Sequence, residues 1–273
     1  MSRTAHLSKH HGLGNDFLVW QGGDVSLGAA MARRWCDRRR GVGADGLLVA
    51  TPRPDASWEM VLFNADGSRA EMSGNGIRCF VQAISGGVPG SYRVHTDAGE
   101  RMVEVLATDD PQTVMASVHM GPVRSGRPSV FWAEVGAHPD RPVAHLDLGN
   151  PHTVVGVDDV TVVDLSLIGG QVPDINLEIV HPGPEATAIT MRVHERGAGI
   201  TEACGTGACA SAWAAVQWGL VPASVAEVLV HMDGGDARVL LNTPEPGHVT
   251  LVGPSVYIAS VDLPIDASTG TAT

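Results

Sequence analysis

The chain has 273 residues and a formal net charge of −12 at pH 7, a length that suits one large or two ordinary domains, either with a sizeable core. The acidic balance and the lack of any basic stripe argue against a nucleic-acid surface or an anionic membrane surface, which leaves a small molecule as the expected partner. No apolar run approaches the roughly 20 residues that a membrane span requires.

The first residues contain no apolar h-region, and the four cysteines, Cys36, Cys79, Cys204 and Cys209, show no CxxC or zinc-ribbon spacing. A cytoplasmic protein without a metal site is expected. Lys9 is the only lysine and so the only candidate for a Schiff base with pyridoxal phosphate, which argues for chemistry without that cofactor. Gly12, Gly14 and Asn15 lead into the strand-like run Phe17-Leu18-Val19-Trp20, where Asn15 is a loop amide, read as a turn residue or as a ligand group. A helix is expected from about Ser26 to Arg40, with Leu27, Ala30, Met31 and Trp35 on one face and Arg33, Arg34, Arg38, Arg39 and Arg40 on the solvated side. Strands follow at Leu47 to Ala50 and Glu59 to Phe63, and the turn Asn64-Ala65-Asp66-Gly67-Ser68 feeds the glycine-punctuated loop Glu71-Met72-Ser73-Gly74-Asn75-Gly76. The helix behind that loop runs to about Ser85 and stops at Gly86-Gly87. Cys79 lies six residues beyond Ser73, on another side of that helix, and reads as core. Tyr92 to Leu106 reads as a hairpin turning at Thr96-Asp97-Ala98-Gly99, after which polarity rises, so the first domain is taken as residues 1–117.

The second domain, residues 118–260, carries Leu148-Gly149-Asn150-Pro151-His152 in a loop, a short helix near Leu165 and the segment Ile175-Asn176-Leu177-Glu178-Ile179. A strand from Met191 to His194 delivers Glu195 and Arg196. An adjacent carboxylate and guanidinium can seat an amino acid zwitterion or form a plain surface ion pair. The loop that follows places Cys204 before Gly205, Thr206 and Gly207, which open a helix of small residues that stops at Gly219. Free N–H groups and the positive dipole end at that position predict a lowered thiol pKa and a seat for a substrate carboxylate. A buried structural cysteine is the alternative. A last strand around Val256 to Ser260 and a polar tail, residues 261–273, end the sequence.

The loop before the second helix repeats the loop before the first. Glu71, Ser73, Gly74 and Gly76 align with Glu202, Cys204, Gly205 and Gly207, while Leu13-Gly14-Asn15 matches Leu148-Gly149-Asn150 and Val94-His95-Thr96-Asp97 matches Val230-His231-Met232-Asp233. Matches in one order at a nearly constant separation indicate a duplicated domain. Two related helix N-termini, each presenting one side chain, suggest a cleft with acid–base groups on opposite sides of a bound molecule, a geometry that suits inversion of a carbon stereocentre. No cofactor is required for it.

The stretches N-A-D-G-S-R-A-E-M-S-G-N-G-I-R-C-F from Asn64, L-G-N-P-H from Leu148 and R-V-H-E-R-G-A-G-I-T-E-A-C-G-T-G-A from Arg192 resemble the diaminopimelate epimerases, pyridoxal-independent two-base enzymes of lysine and peptidoglycan biosynthesis. The resemblance implies an α+β fold of two similar domains, each a curled mixed sheet around a central helix, with the active site in the cleft between them, and a homodimer. It implies substrate contacts from Asn15, Asn64, Asn150, Asn176, Glu195 and Arg196, and backbone contacts at Gly74-Asn75 and Gly205-Thr206. His152 and Glu195 are implied to adjust the acid–base pair, and diaminopimelate is the implied ligand. The family's pattern has cysteine in both repeats, and here the first position is Ser73, a far poorer base unless a neighbour activates it. A serine-tolerant variant, a one-thiol racemase of another amino acid, a catalytically impaired amino acid-binding homologue and a Cys→Ser variant all remain open.

Overall fold

In a computed structural model the described residues are 3–135 and 140–265. They divide into two compact units, residues 3–118 with 254–265, and residues 119–253.

The first unit contains β1 (Arg3–Gly12), β2 (Asn15–Gln21), α1 (Val25–Trp35), β3 (Gly46–Pro52), β4 (Trp58–Asn64), β5 (Arg69–Ala70), α2 (Gly74–Ser85), β6 (Gly90–Thr96), β7 (Gly99–Ala107) and most of β8 (Thr113–Pro122). Strand β1 pairs antiparallel with β2, β2 parallel with β3, β3 antiparallel with β4, β4 parallel with β6, and β6, β7 and β8 follow antiparallel. Helix α2 packs against β1, β2, β3, β4 and β7, and every residue from Gly74 to Gln82 is buried. Helix α1 lies outside, where Met31, Ala32 and Trp35 join Trp20, Leu47, Val49 and Phe63 in one apolar cluster.

The second unit repeats this order. After β9 (Arg124–Ser125) and a 3₁₀ turn at Trp132–Glu134 come β10 (Val143–Asp147), β11 (Pro151–Gly156), α3 (Leu165–Gly170), β12 (Asn176–Pro182), β13 (Ala188–Glu195), β14 (Gly199–Thr201), α4 (Gly205–Gln217), β15 (Glu227–Met232), β16 (Gly235–Leu241) and β17 (His248–Ile265). Strands β10 and β11 pair antiparallel, β11 and β12 parallel, β12 and β13 antiparallel, β13 and β15 parallel, and β15, β16 and β17 antiparallel. This is the pairing order of the first unit, element for element. Helix α4 packs against β10, β11, β12, β13, β15 and β16. Its run of Gly, Ala, Ser and Cys suits that setting, because small side chains let strands approach on every side. Among the described residues no helix is long and apolar enough to cross a membrane.

Three sequence expectations change. The first helix ends at Trp35, not near Arg40, because Asp37 turns its carboxylate onto the N–H groups of Arg39 and Arg40, each at 2.7 Å, and offers the backbone a turn in place of another helical bond. Arg38 thereby leaves the solvated helix face and reaches Asp16 and Asp45, both at 2.7 Å. The last strand runs on to Ile265, and its second half pairs antiparallel with β1 from Arg3↔Ile265 to His11↔Val256. Residues 254–260 therefore belong to the first unit rather than the second, and residues 261–265 are strand rather than tail; the remainder of the expected tail lies outside the described residues.

Candidate active site

In the second unit Cys204 is the N-cap of α4. Its sulfur accepts from the Gly207 N–H at 3.4 Å, and only 4% of the residue is exposed. Four other residues are chained to it through hydrogen bonds. The Thr206 hydroxyl lies 3.5 Å from Sγ, and the Asn150 amide donates to that hydroxyl at 3.2 Å. The amide oxygen of Asn150 faces His152 Nε2 at 3.0 Å, and His152 Nδ1 meets Glu178 Oε1 at 2.6 Å. His152 and Glu178 are fully buried. Glu195, at the end of β13, accepts from the Thr201 hydroxyl at 2.5 Å and bears electrostatically on Cys204.

The electrostatics reverse the expected lowered thiol. Burial first, then the carboxylates of Glu195 and Glu178, hold the Cys204 thiol well above its usual range, against the smaller opposite effects of the Thr206 hydroxyl and the Gly207 N–H. One N–H at a helix terminus does not outweigh desolvation together with two nearby negative groups. Burial also pushes the Glu195 carboxyl up, although Thr201 and Cys204 favour its ionised form. Thiol and carboxyl thus become neighbours that can each carry the proton. Gly207 is what permits this crowding, since a Cβ there would fall 2.6 Å from Glu178 Oε1.

The first unit has the same frame and different contents. Ser73 is the half-buried N-cap of α2 and accepts from the Gly76 N–H at 3.0 Å. Asn75 donates to Asn15 Oδ1 at 3.2 Å, Asn15 donates to Asp45 at 2.8 Å, and the buried Arg78 donates to Asn75 Oδ1 at 2.9 Å and to the Gly74 carbonyl at 3.2 Å. Lys9, the only lysine, donates to the Gly43 carbonyl and pairs with Asp16 at 2.9 Å. The two parallel strand pairs match in register, His152↔Asn176 against Phe17↔Gly46, so Phe17 stands where His152 does and Leu48 where Glu178 does.

A sequence profile described as diaminopimelate epimerase matches residues 7–125 and 145–258. A protein of Synechococcus elongatus named diaminopimelate epimerase is 36% identical, over 97% of this chain and 100% of its own. The chain belongs to the diaminopimelate epimerase family. It is an enzyme of the amino acid epimerase and racemase type. The fold is shared more widely: a phenazine biosynthesis protein of the PhzF family from Bacillus anthracis superposes with a TM-score of 0.74 at 13% identity, covering 96% of this chain and 100% of its own. A hydroxyproline epimerase from Agrobacterium vitis, solved with bound trans-4-hydroxy-L-proline, does so at 0.71 and 15% identity, covering 98% and 95%.

In this member of the diaminopimelate epimerase family, the structure gathers Cys204, Gly205, Thr206, Asn150, His152 and Glu195 in the second unit, and Ser73, Gly74, Asn75 and Asn15 in the first. The Glu195 carboxylate accepts from Thr201, while Arg196 is exposed and its backbone N–H donates to Asn176 Oδ1 at 2.9 Å. The Asn176 amide in turn donates to the Pro151 carbonyl at 2.9 Å. Asn64 donates to Ser68 within its own turn at 3.0 Å. Glu178 escaped the motif reading, although a carboxylate inside the apolar run Leu177 to Val180 is itself a signal. Cys79 is fully buried, and burial pushes its thiol up to about 12.

Proposed function

We propose that this enzyme interconverts LL- and meso-diaminopimelate by proton transfer at the α-carbon without a cofactor, with Cys204 serving one face of that carbon and Ser73 the other. The observation that carries the reading is Cys204 as the N-cap of α4, its sulfur on the Gly207 N–H and the Thr206 hydroxyl, under the influence of a Glu195 carboxyl that burial has pushed up. Glu195 takes the thiol proton, the thiolate removes the α-proton, and the opposite face is protonated from the side of Ser73. In the reverse direction Cys204 returns its proton to the carbanion and Glu195 resupplies it. The N–H groups that open α4 and α2 lack intrahelical acceptors and stabilise the charge that develops on the substrate carboxylate. Asn15, Asn64, Asn150, Asn176 and Arg196 orient the substrate in this reading.

Ser73 favours a second reading in which the chain is a one-thiol isomerase of another amino acid, since Phe17 and Leu48 replace the imidazole and carboxylate that accompany the thiol in the other repeat. Incubation in deuterated water separates the two. Exchange and interconversion of LL- and meso-diaminopimelate support the first reading, whereas exchange confined to another amino acid supports the second. Binding of diaminopimelate without any exchange makes the protein an amino acid-binding homologue. The homodimer implied by the resemblance and the cytoplasmic location expected from the cysteines and the N-terminal residues belong to the same proposal, and light scattering on the purified protein tests the dimer.

A further inference from the structure

We infer that Glu178 is a positioning residue for the thiolate of Cys204, acting through the hydrogen-bond chain His152, Asn150 and Thr206. This rests on Cys204 being the acid–base group proposed above. Nothing in the motif pattern assigns Glu178 a role, and its place in the fold is unusual. It is fully buried in the middle of β12, one carboxylate oxygen is held by His152 Nδ1, and the other has no hydrogen-bond partner. A buried carboxylate with one oxygen unsatisfied destabilises the fold, so a compensating role is needed.

The direction of the chain supplies that role. His152 Nε2 faces the Asn150 carbonyl oxygen, which only accepts, so Nε2 is a donor. Nδ1 faces a carboxylate at 2.6 Å, and imidazole and carboxyl therefore hold two protons between them. Asn150 Nδ2 donates to the Thr206 hydroxyl, which leaves the hydroxyl hydrogen free to point at the Cys204 sulfur. From His152 Nε2 onward every donor in the chain is aimed toward the sulfur, the arrangement that favours S⁻ over S–H. Without Glu178 the imidazole has no partner to keep its second proton, and the order of donors is free to reverse.

A purely Coulombic role predicts the opposite sign. The groups that bear on the sulfur are Glu195 from β13, Glu178 from β12 and the first turn of α4, while His152 from β11 bears on Glu195, and the direct effect of the Glu178 charge is to raise the thiol. Removing that charge would then yield more thiolate, whereas breaking the chain yields less.

The experiment is a pH titration of thiolate ultraviolet absorbance in the substrate-free protein, taken as the difference from Cys204→Ala so that the other three thiols cancel. Glu178→Leu, which leaves Nδ1 without a partner, should move the appearance of the Cys204 thiolate to higher pH, with about tenfold less thiolate at a given pH, the equivalent of one pKa unit. Thr206→Val should move it the same way, and Thr206→Ser should restore it. A shift to lower pH or no shift in Glu178→Leu overturns the inference. If Glu178→Leu does not fold, the Thr206→Val and Thr206→Ser pair decides, and equal titrations in those two overturn it. The titration needs no turnover, so an enzyme that fails to epimerise diaminopimelate refutes the functional reading while leaving this test intact.

Discussion

Helices α2 and α4 begin in the same way and are equipped differently. Each opens on an N-cap whose side chain accepts from the third residue of the helix, Gly76 or Gly207, and each is wrapped by strands paired in one order. An asparagine amide ties the loop to the helix in both: Asn75 bonds Asn15 in the first repeat, and Asn150 bonds Thr206 in the second. Behind that shared frame, α4 has His152, Glu178 and Glu195, whereas the matching places beside α2 hold Phe17, Leu48 and Asn64. In the proposed mechanism the frame fixes where a proton-transferring atom sits, and the residues behind it set how readily that atom exchanges a proton. Only the second repeat has an imidazole and carboxylates there.

The largest effect that would break this comparison is at the sulfur. Cys204→Ala should lower α-proton exchange by roughly 10² to 10⁴-fold, the usual contribution of a general acid–base group, and near-parental exchange in that variant would remove the sulfur from the mechanism. Glu195→Gln keeps a hydrogen-bonding partner for Thr201 but no longer takes the thiol proton, so kcat should fall by about 10²-fold with the fold intact by circular dichroism. An unchanged kcat would mean that the thiol loses its proton elsewhere. Ser73→Cys sharpens the comparison from the other side. It places a second thiol at a helix N-terminus and should raise kcat in both directions, and a slower enzyme would show serine to be an adapted catalyst.

The motif residues were legible because each repeat marks its helix start with glycines, and the sequence therefore located Ser73, Cys204 and their asparagines. Glu178 was not, because its partners come from β11 and α4, and contacts between distant segments leave no local pattern. The direction of the Cys204 shift was hidden for the same reason: a helix N-terminus can be read from Gly205-Thr206-Gly207, but the burial that overrides it depends on six surrounding strands. Arg38 was misplaced because a regular arginine spacing looked helical while Asp37 was free to end the helix. The repeat itself could be read from sequence, yet not that the final strand returns to the first unit, since that depends on the pairing of β17 with β1.

Two smaller effects test the frame rather than the chemistry. In Gly207→Ala the new Cβ would fall 2.6 Å from Glu178 Oε1, whereas in Gly76→Ala it would lie 3.1 Å from the Ser73 Cβ. Thermal unfolding should show Gly207→Ala less stable by about 1–3 kcal/mol and Gly76→Ala affected less. The reverse order would mean that the crowding beneath α4 relaxes freely. Cys79→Ala should leave turnover largely intact, since that side chain is fully buried among core residues of α2. Lost exchange in a folded Cys79→Ala protein would assign that thiol to the chemistry.

The central claim is that the repeat carrying Cys204 exchanges protons and the repeat carrying Ser73 does so poorly. Deuterium incorporation from solvent, followed separately from LL- and from meso-diaminopimelate at early times and set beside the rate of interconversion, measures this directly. The account predicts that one isomer takes up deuterium much faster than it is converted, and that the other exchanges slowly. Equal and fast exchange from both isomers, at the rate of interconversion, would contradict it.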